Sequence, residues 1–175
     1  MCLILAKSES KRLPNKNTLD FNGEPMFMVN VIKCLKLFKK VYVSSDDADI
    51  LEIAYNAGAI PILRGKSLCG DTPNIPVYQH ALSVMRTIPK GIVAIQANSP
   101  NIGELTIAEV IRAINIYDEV MTCHRDETLY GSAWGIKTDK LLNYGDPYKP
   151  DPDYLVWDDS IDIHTKKDYK LALSI

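Results

Sequence analysis

Cysteine is scarce and unpaired: Cys2, Cys34, Cys69 and Cys123 form no Cys-x-x-Cys motif, so neither a zinc site nor a disulfide framework can be read from their spacing. All four lie in or beside apolar segments, which suggests buried, reduced thiols in a cytoplasmic protein. No apolar run approaches the roughly 20 residues that cross a bilayer, and no cationic stretch followed by such a run opens the chain. A soluble, unprocessed chain with no membrane partner is expected. Charge of one sign is also lacking: 20 Lys and Arg against 22 Asp and Glu leave a net charge of −2. That balance argues against a protein that coats nucleic acid. The Gly-x-x-x-x-Gly-Lys-Ser/Thr and Gly-x-Gly-x-x-Gly phosphate loops are absent, as is a Gly-x-Ser-x-Gly elbow, which removes a Ser-His-Asp hydrolase from consideration.

What remains is a regular alternation of short apolar runs with longer amphipathic segments. Strands are expected at Cys2–Ala6, Lys40–Ser44, Ile60–Leu63, Ile92–Gln96 and Glu119–Cys123, with a later pair at Ser132–Lys137 and Ser160–Ile163. Helices are expected at Pro25–Leu37, from Asp46 or Asp47 to Ala57, and at Pro76–Arg86, Glu104–Ile116 and Thr165–Leu173. The pattern predicts a three-layer α/β/α sandwich around a mostly parallel, Rossmann-like sheet, in one domain covering residues 1–175. The proline-bearing stretch Tyr144–Asp159 reads as a surface loop or lid bordering the site.

The first strand runs into Ala6-Lys-Ser-Glu-Ser-Lys-Arg-Leu-Pro-Asn-Lys-Asn17, where Lys7, Lys11, Arg12 and Lys16 face one acid, Glu9. Open α/β sheets bind ligands at the carboxyl ends of their strands, so this loop stands where a polyanion would be held. A nucleoside triphosphate is the natural candidate. Lysines supply point charges, Ser8 and Ser10 supply hydroxyls, and Pro14 sets the turn that returns Lys16 and Asn17. On charge alone, a solvated basic loop is an equal reading.

The residue order is more specific. Ala6-Lys7-x-x-Ser10-Lys11-x-Leu13-Pro14-x-Lys16-Asn17 resembles the signature of the acylneuraminate cytidylyltransferases, the CMP-sugar synthetases. Four further blocks follow in that family's order: Val41–Asp47, Ile62-Leu63-Arg64 with Gly70-Asp71-Thr72, Gln96–Pro100, and Asp162-Ile163-His164-Thr165 with Asp168. The resemblance implies transfer of CMP from CTP to an anionic acceptor, a sialic-acid-like nonulosonic acid or a smaller phosphonate or keto-acid sugar. It assigns the nucleotide to Lys7, Ser8, Ser10, Lys11, Lys16, Asn17, Arg64 and Asp71. The acceptor falls to Gln96 and Asn98, joined by His124 and Arg125 at the end of the fifth strand. Catalysis falls to Lys7, Lys16, Asp162 and His164.

The family's late pair of aspartates implies Mg²⁺, but here the second position is His164, so Asp162 and His164 form the expected metal pair and Mn²⁺ enters as an alternative. His164 is equally a general base toward the acceptor, or a structural histidine. Lys7 replaces the usual Arg, and only seven residues separate Cys123 from Gly131, where the family carries a longer excursion. Tyr130, Trp134, Tyr148, Tyr154 and Trp157 offer stacking faces for the acceptor, or a surface for a homodimer. Two other readings stand: a glycosyltransferase using Asp151-Pro152-Asp153 for metal, and an inactive nucleotide-binding protein.

Overall fold

The computed structural model describes residues 1–175. In chain order the elements are β1 (Cys2–Leu5), β2 (Asp20–Phe21), β3 (Glu24–Pro25), α1 (Met26–Leu37), β4 (Val41–Ser45), α2 (Ala48–Asn56), β5 (Ile60–Leu63) and α3 (Asn74–Val84). They continue with β6 (Gly91–Gln96), α4 (Glu104–Ala113), β7 (Glu119–Cys123), β8 (Leu129–Lys137), α5 (Thr138–Leu142), β9 (Tyr154–Trp157) and α6 (Lys166–Ala172). Seven strands form one sheet in the order β5-β4-β1-β6-β8-β7-β9. All neighbours are parallel except β8, which runs antiparallel between β6 and β7.

The central strands are apolar at nearly every position because both faces are covered. On one face Phe27, Val31, Ile50, Ile107 and Val110 of α1, α2 and α4 pack on Ile4, Val43 and Ile95. On the other, Tyr78, Ala81, Leu82 and Leu141 of α3 and α5 pack on Leu3, Ala94 and Trp134. The three expected layers are present. From β1 the chain leads through α1 to β4 and on to β5 on one side, and then crosses back through α3 to β6 on the other side of β1, so the carboxyl ends of β1 and β6 border a topological switch point. Asn30, fully buried in α1, donates to the carbonyls of Gln96 and Ser99 at 2.9 and 3.0 Å and fixes the chain leaving β6.

Several elements differ from expectation, among them the short helix α5, which no expected helix covers. The last strand is Tyr154–Trp157, inside the stretch read as a loop, whereas Ser160–Ile163 is extended chain outside the sheet. Pro147, Pro150 and Pro152 obscured a four-residue apolar run whose strand character comes from parallel pairing with β7. The β2–β3 hairpin was also missed, although Asn22 and Gly23 at φ 58° and 92° form the Asn-Gly turn that favours such hairpins. Finally, β8 starts at Leu129 and is irregular: Met121 pairs with Trp134 but Cys123 pairs with Leu129. At the other end of the chain, Thr165 caps α6 as expected, in a reciprocal capping box with Asp168.

Candidate functional site

A cleft of about 530 Å³ opens at the carboxyl ends of β1 and β6. It is lined by Lys7, Ser10, Lys11, Arg12, Lys16, Asn17, Arg64, Asp71, Gln96, Asn98, Asp162 and His164, which joins residues from four of the five blocks; Val41–Asp47 contributes none of the lining. After β1 the chain passes through Asn15, at φ 53°, into a single 3₁₀ turn, Lys16–Thr18. That turn buries Lys16 and Asn17, and Asn17 Nδ2 donates to the Lys7 carbonyl at 2.8 Å. Lys7 Nζ donates to the Gly70 carbonyl at 2.9 Å. Lys11 pairs with Asp71 at 2.6 Å, but both are about four-fifths exposed, so the pair is screened and easily exchanged for a ligand.

Lys16 is the unusual cation. It is only 9 % exposed, and its ammonium makes no hydrogen bond or ion pair within the protein. Burial pushes its pKa down to about 8; Asp162 opposes the shift, and Lys7 and Arg12 reinforce it. Arg64 lies equally deep, 3.7 Å from Asp46, with its Nε unpartnered. Burial works to raise the Asp46 pKa, but two bonds from Ser8, to the backbone N–H at 3.0 Å and the hydroxyl at 2.5 Å, together with Arg64, hold it below the usual range. Ser8 is thereby committed to Asp46 and does not line the cleft, contrary to its expected place on the nucleotide. Asp47 caps α2 through the N–H groups of Asp49 and Ile50.

Opposite the cations, four side chains form a continuous chain. Asn98 Nδ2 donates to Asp162 Oδ1; Asp162 Oδ2 lies 2.6 Å from His164 Nε2, and His164 Nδ1 lies 2.6 Å from Arg12 Nη2. A guanidinium can only donate, so Nδ1 accepts and Nε2 carries the hydrogen that it gives to Asp162. Both imidazole nitrogens are therefore occupied. His164 in this arrangement offers no lone pair to a metal or to an acceptor proton, which corrects both its expected pairing with Asp162 as a metal ligand and its reading as a base. No group of three or more His, Cys, Asp or Glu is placed to hold a metal. Asp162 alone fits a hard cation, in the manner of Mg²⁺ sites that share few carboxylates with phosphate oxygens and water. Asp168 is consumed by the backbone N–H groups of His164 and Thr165.

The turn after β7 carries His124 and Arg125 away from the cleft. The His124 ring stacks on Tyr130 at 4.6 Å and the Arg125 guanidinium lies over Trp157 at 4.5 Å, so neither touches the site. Tyr130 takes their place: its hydroxyl donates to Ser99 Oγ at 2.8 Å, and its ring lines the cleft. Behind it, buried Asp158 accepts from Ser132 at 2.5 Å and from Ser160, tying β8 to the chain after β9. The glycosyltransferase motif is misplaced, because Asp153 accepts from the Glu119 N–H at the amino end of β7, the end opposite the cleft. Sequence reasoning also missed the partnering of Arg12 with His164, which no local pattern signals.

A mostly parallel α/β sheet with a cation-lined cleft and one acid at its switch point has the architecture of the nucleotide-binding α/β folds. Residues 1–156 match the sequence model of the family Cytidylyltransferase, and the chain belongs to that family. It is 36 % identical over 91 residues to the pseudaminic acid cytidylyltransferase of Campylobacter jejuni, covering 50 % of this chain and 39 % of the relative. It is 33 % identical over 78 residues to the CMP-N,N'-diacetyllegionaminic acid synthase of Legionella pneumophila, covering 43 % and 34 %. The matches thus span well under half the length of these relatives. Among solved structures, CMP:2-keto-3-deoxy-manno-octonic acid synthetase complexed with CTP superposes with a TM-score of 0.79 at 13 % identity, covering 99 % of this chain and 96 % of that one, and shares the fold.

Proposed function

We propose that the cleft binds CTP and transfers CMP to a nonulosonic acid of the sialic-acid type, releasing pyrophosphate. The observation that carries this reading is Lys16: a lysine only 9 % exposed, lining the cleft at the end of β1 among three further cations with no protein partner for its ammonium, is a charge that an anion in the cleft would complete. The curated relatives named above point to the same acceptor class. In the proposed step an acceptor oxygen attacks the α-phosphorus of CTP, the bond from that phosphorus to the bridging oxygen breaks, and the acceptor hydroxyl proton passes to solvent. Lys7, Lys11 and Lys16 offset charge on the phosphates, Arg12 is anchored toward them by His164, and Arg64 and Asn17 flank the nucleoside. Gln96 and Asn98 align the acceptor. Asp162 would hold Mg²⁺ or Mn²⁺, which supplies charge neutralisation on the triphosphate when bound. The enzyme is proposed to act in the cytoplasm as a homodimer, with residues 1–175 as one catalytic domain.

The test is pyrophosphate release with each of the four nucleoside triphosphates, with and without nonulosonic acids, in Mg²⁺ and in Mn²⁺. CTP-selective release is expected, and equal use of all four would remove the cytidylyl assignment. Lys16→Ala is expected to weaken CTP binding by about 1.5–3 kcal/mol, as for loss of a charge-assisted contact. Unchanged affinity would show that Lys16 does not face the phosphates.

A further inference from the structure

Helix α1 is apolar except for Asn30, Lys33 and Lys36, which recur at three-residue spacing along one side. All three turn toward the segment that leaves β6. Asn30 takes the carbonyls of Gln96 and Ser99, and Lys33 Nζ donates to those of Pro100 at 2.6 Å and Ile102 at 2.8 Å. Lys36 reaches past them to Glu104, the first residue of α4, at 2.9 Å. Pro100 and Ile102 are buried, and neither carbonyl has another hydrogen-bond partner in the protein. Buried backbone carbonyls are almost always paired, so in this segment of turns Lys33 supplies what a helix or a strand would. Four carbonyls between Gln96 and Ile102 are thus held by two side chains of one helix.

The clamped segment carries part of the cleft. Asn98 donates to Asp162 through Nδ2 and accepts from the Ile163 N–H at 2.9 Å through its carbonyl. Asp162 in turn holds His164 and, through it, Arg12. A shift of the segment therefore carries the acid and the Arg12 guanidinium with it. The lysines after β1 are fixed by other bonds, from Asn17 to the Lys7 carbonyl and from Lys7 to the Gly70 carbonyl. Lys33 itself is half-buried outside the cleft lining, and burial pushes its pKa down. An ammonium that gives up water in this way is held by the carbonyls it meets.

We propose that Lys33 is a positioning residue for the transfer reaction: by gripping the Pro100 and Ile102 carbonyls it holds Asn98 against Asp162, and so sets the acid wall of the cleft against the lysines after β1. The proposal rests on the CMP-transfer reading and adds to it a residue that touches neither substrate. Misplacing reacting groups by about 1 Å costs about 100-fold in rate. Loss of the clamp therefore falls on kcat and spares CTP binding, which the loop after β1 carries.

The experiment compares Lys33→Met, which keeps the length of the side chain and removes its donor, with Lys36→Met, which loses only the exposed pair with Glu104. Lys33→Met is expected to lower kcat for pyrophosphate release from CTP and nonulosonic acids by about 10- to 100-fold, with CTP affinity measured without divalent metal within about twofold of wild type. Lys36→Met should match the wild type in both. By NMR of isotope-labelled protein, the side-chain amide of Asn98, assigned through Asn98→Asp, should shift in Lys33→Met and stay in place in Lys36→Met. A wild-type kcat in Lys33→Met, or a loss that falls equally on CTP affinity, would overturn the positioning role. Should Lys33→Met fail to unfold cooperatively, Lys33→Gln, which keeps a donor for one of the two carbonyls, carries the same comparison with the same outcomes. No pyrophosphate release by the wild type with any of these acceptors would sink the transfer reading instead. The clamp then stands if the Asn98 signal moves in Lys33→Met alone, and falls if it does not.

Discussion

Lys16 links fold stability to ligand binding. Its pKa falls from the ordinary 10.5 to about 8 in the folded protein, so the unfolded chain holds that proton more tightly. Between pH 8 and 10.5 the folded state therefore gains stability from this site as pH rises, and below pH 8 the charged side chain costs stability. Lys16→Met should raise the midpoint of thermal unfolding at pH 7 while weakening CTP binding; a lowered midpoint would show that the ammonium is satisfied internally. Since phosphate requires the charged form, wild-type CTP affinity should be level below pH 7.5 and fall about tenfold per unit well above pH 8, a slope that Lys16→Met lacks. At the acidic wall, Asp162→Asn should abolish Mn²⁺ binding followed by electron paramagnetic resonance, whereas His164→Ala should leave it within about threefold, because only the carboxylate suits a hard cation here. A large loss in His164→Ala would restore the histidine to the metal. The cations were legible in the sequence as a run within one loop. The tie between His164 and Arg12 was not, because the two residues lie 152 positions apart.

Elements were legible where their signals are local. Asp47 before α2 and Thr165 before α6 are caps made within a few residues, and both helices start where expected; the reciprocal bond from Asp168 adds to the second. The irregular start of β8 was not, since a shifted register is a relation between two strands. Gly131 sits there at φ 70°, and a Cβ on it would meet nothing nearer than Met121 Sδ at 3.7 Å, so its restriction is one of backbone and not of space. Gly131→Ala should destabilise the protein by about 1 kcal/mol in urea unfolding and should lower acceptor turnover more than CTP binding, because Gly131 follows Tyr130 directly. An unchanged kcat/KM for the acceptor would separate the irregularity from the site.

Across the whole molecule, all four cysteines are free, and Cys2, Cys34 and Cys123 are buried. Unfolding midpoints with and without reductant should coincide, and a drop with reductant would reveal a bridge that the fold does not contain. No helix is long and apolar enough to cross a membrane. The alternation of strands and helices, the caps and the cationic loop after β1 follow from the sequence by itself, because hydrophobic period, capping and charge are carried by neighbouring residues. Tertiary structure decided the rest. It drew β9 out of a proline-rich stretch by pairing it with β7, turned His124 and Arg125 outward, bound both nitrogens of His164, and used the buried carboxylate of Glu119 to set a wall of aromatic rings beside the cleft. Each depends on groups brought together from distant parts of the chain, and the balance of burial against hydrogen bonding that fixes them exists only once the sheet has formed.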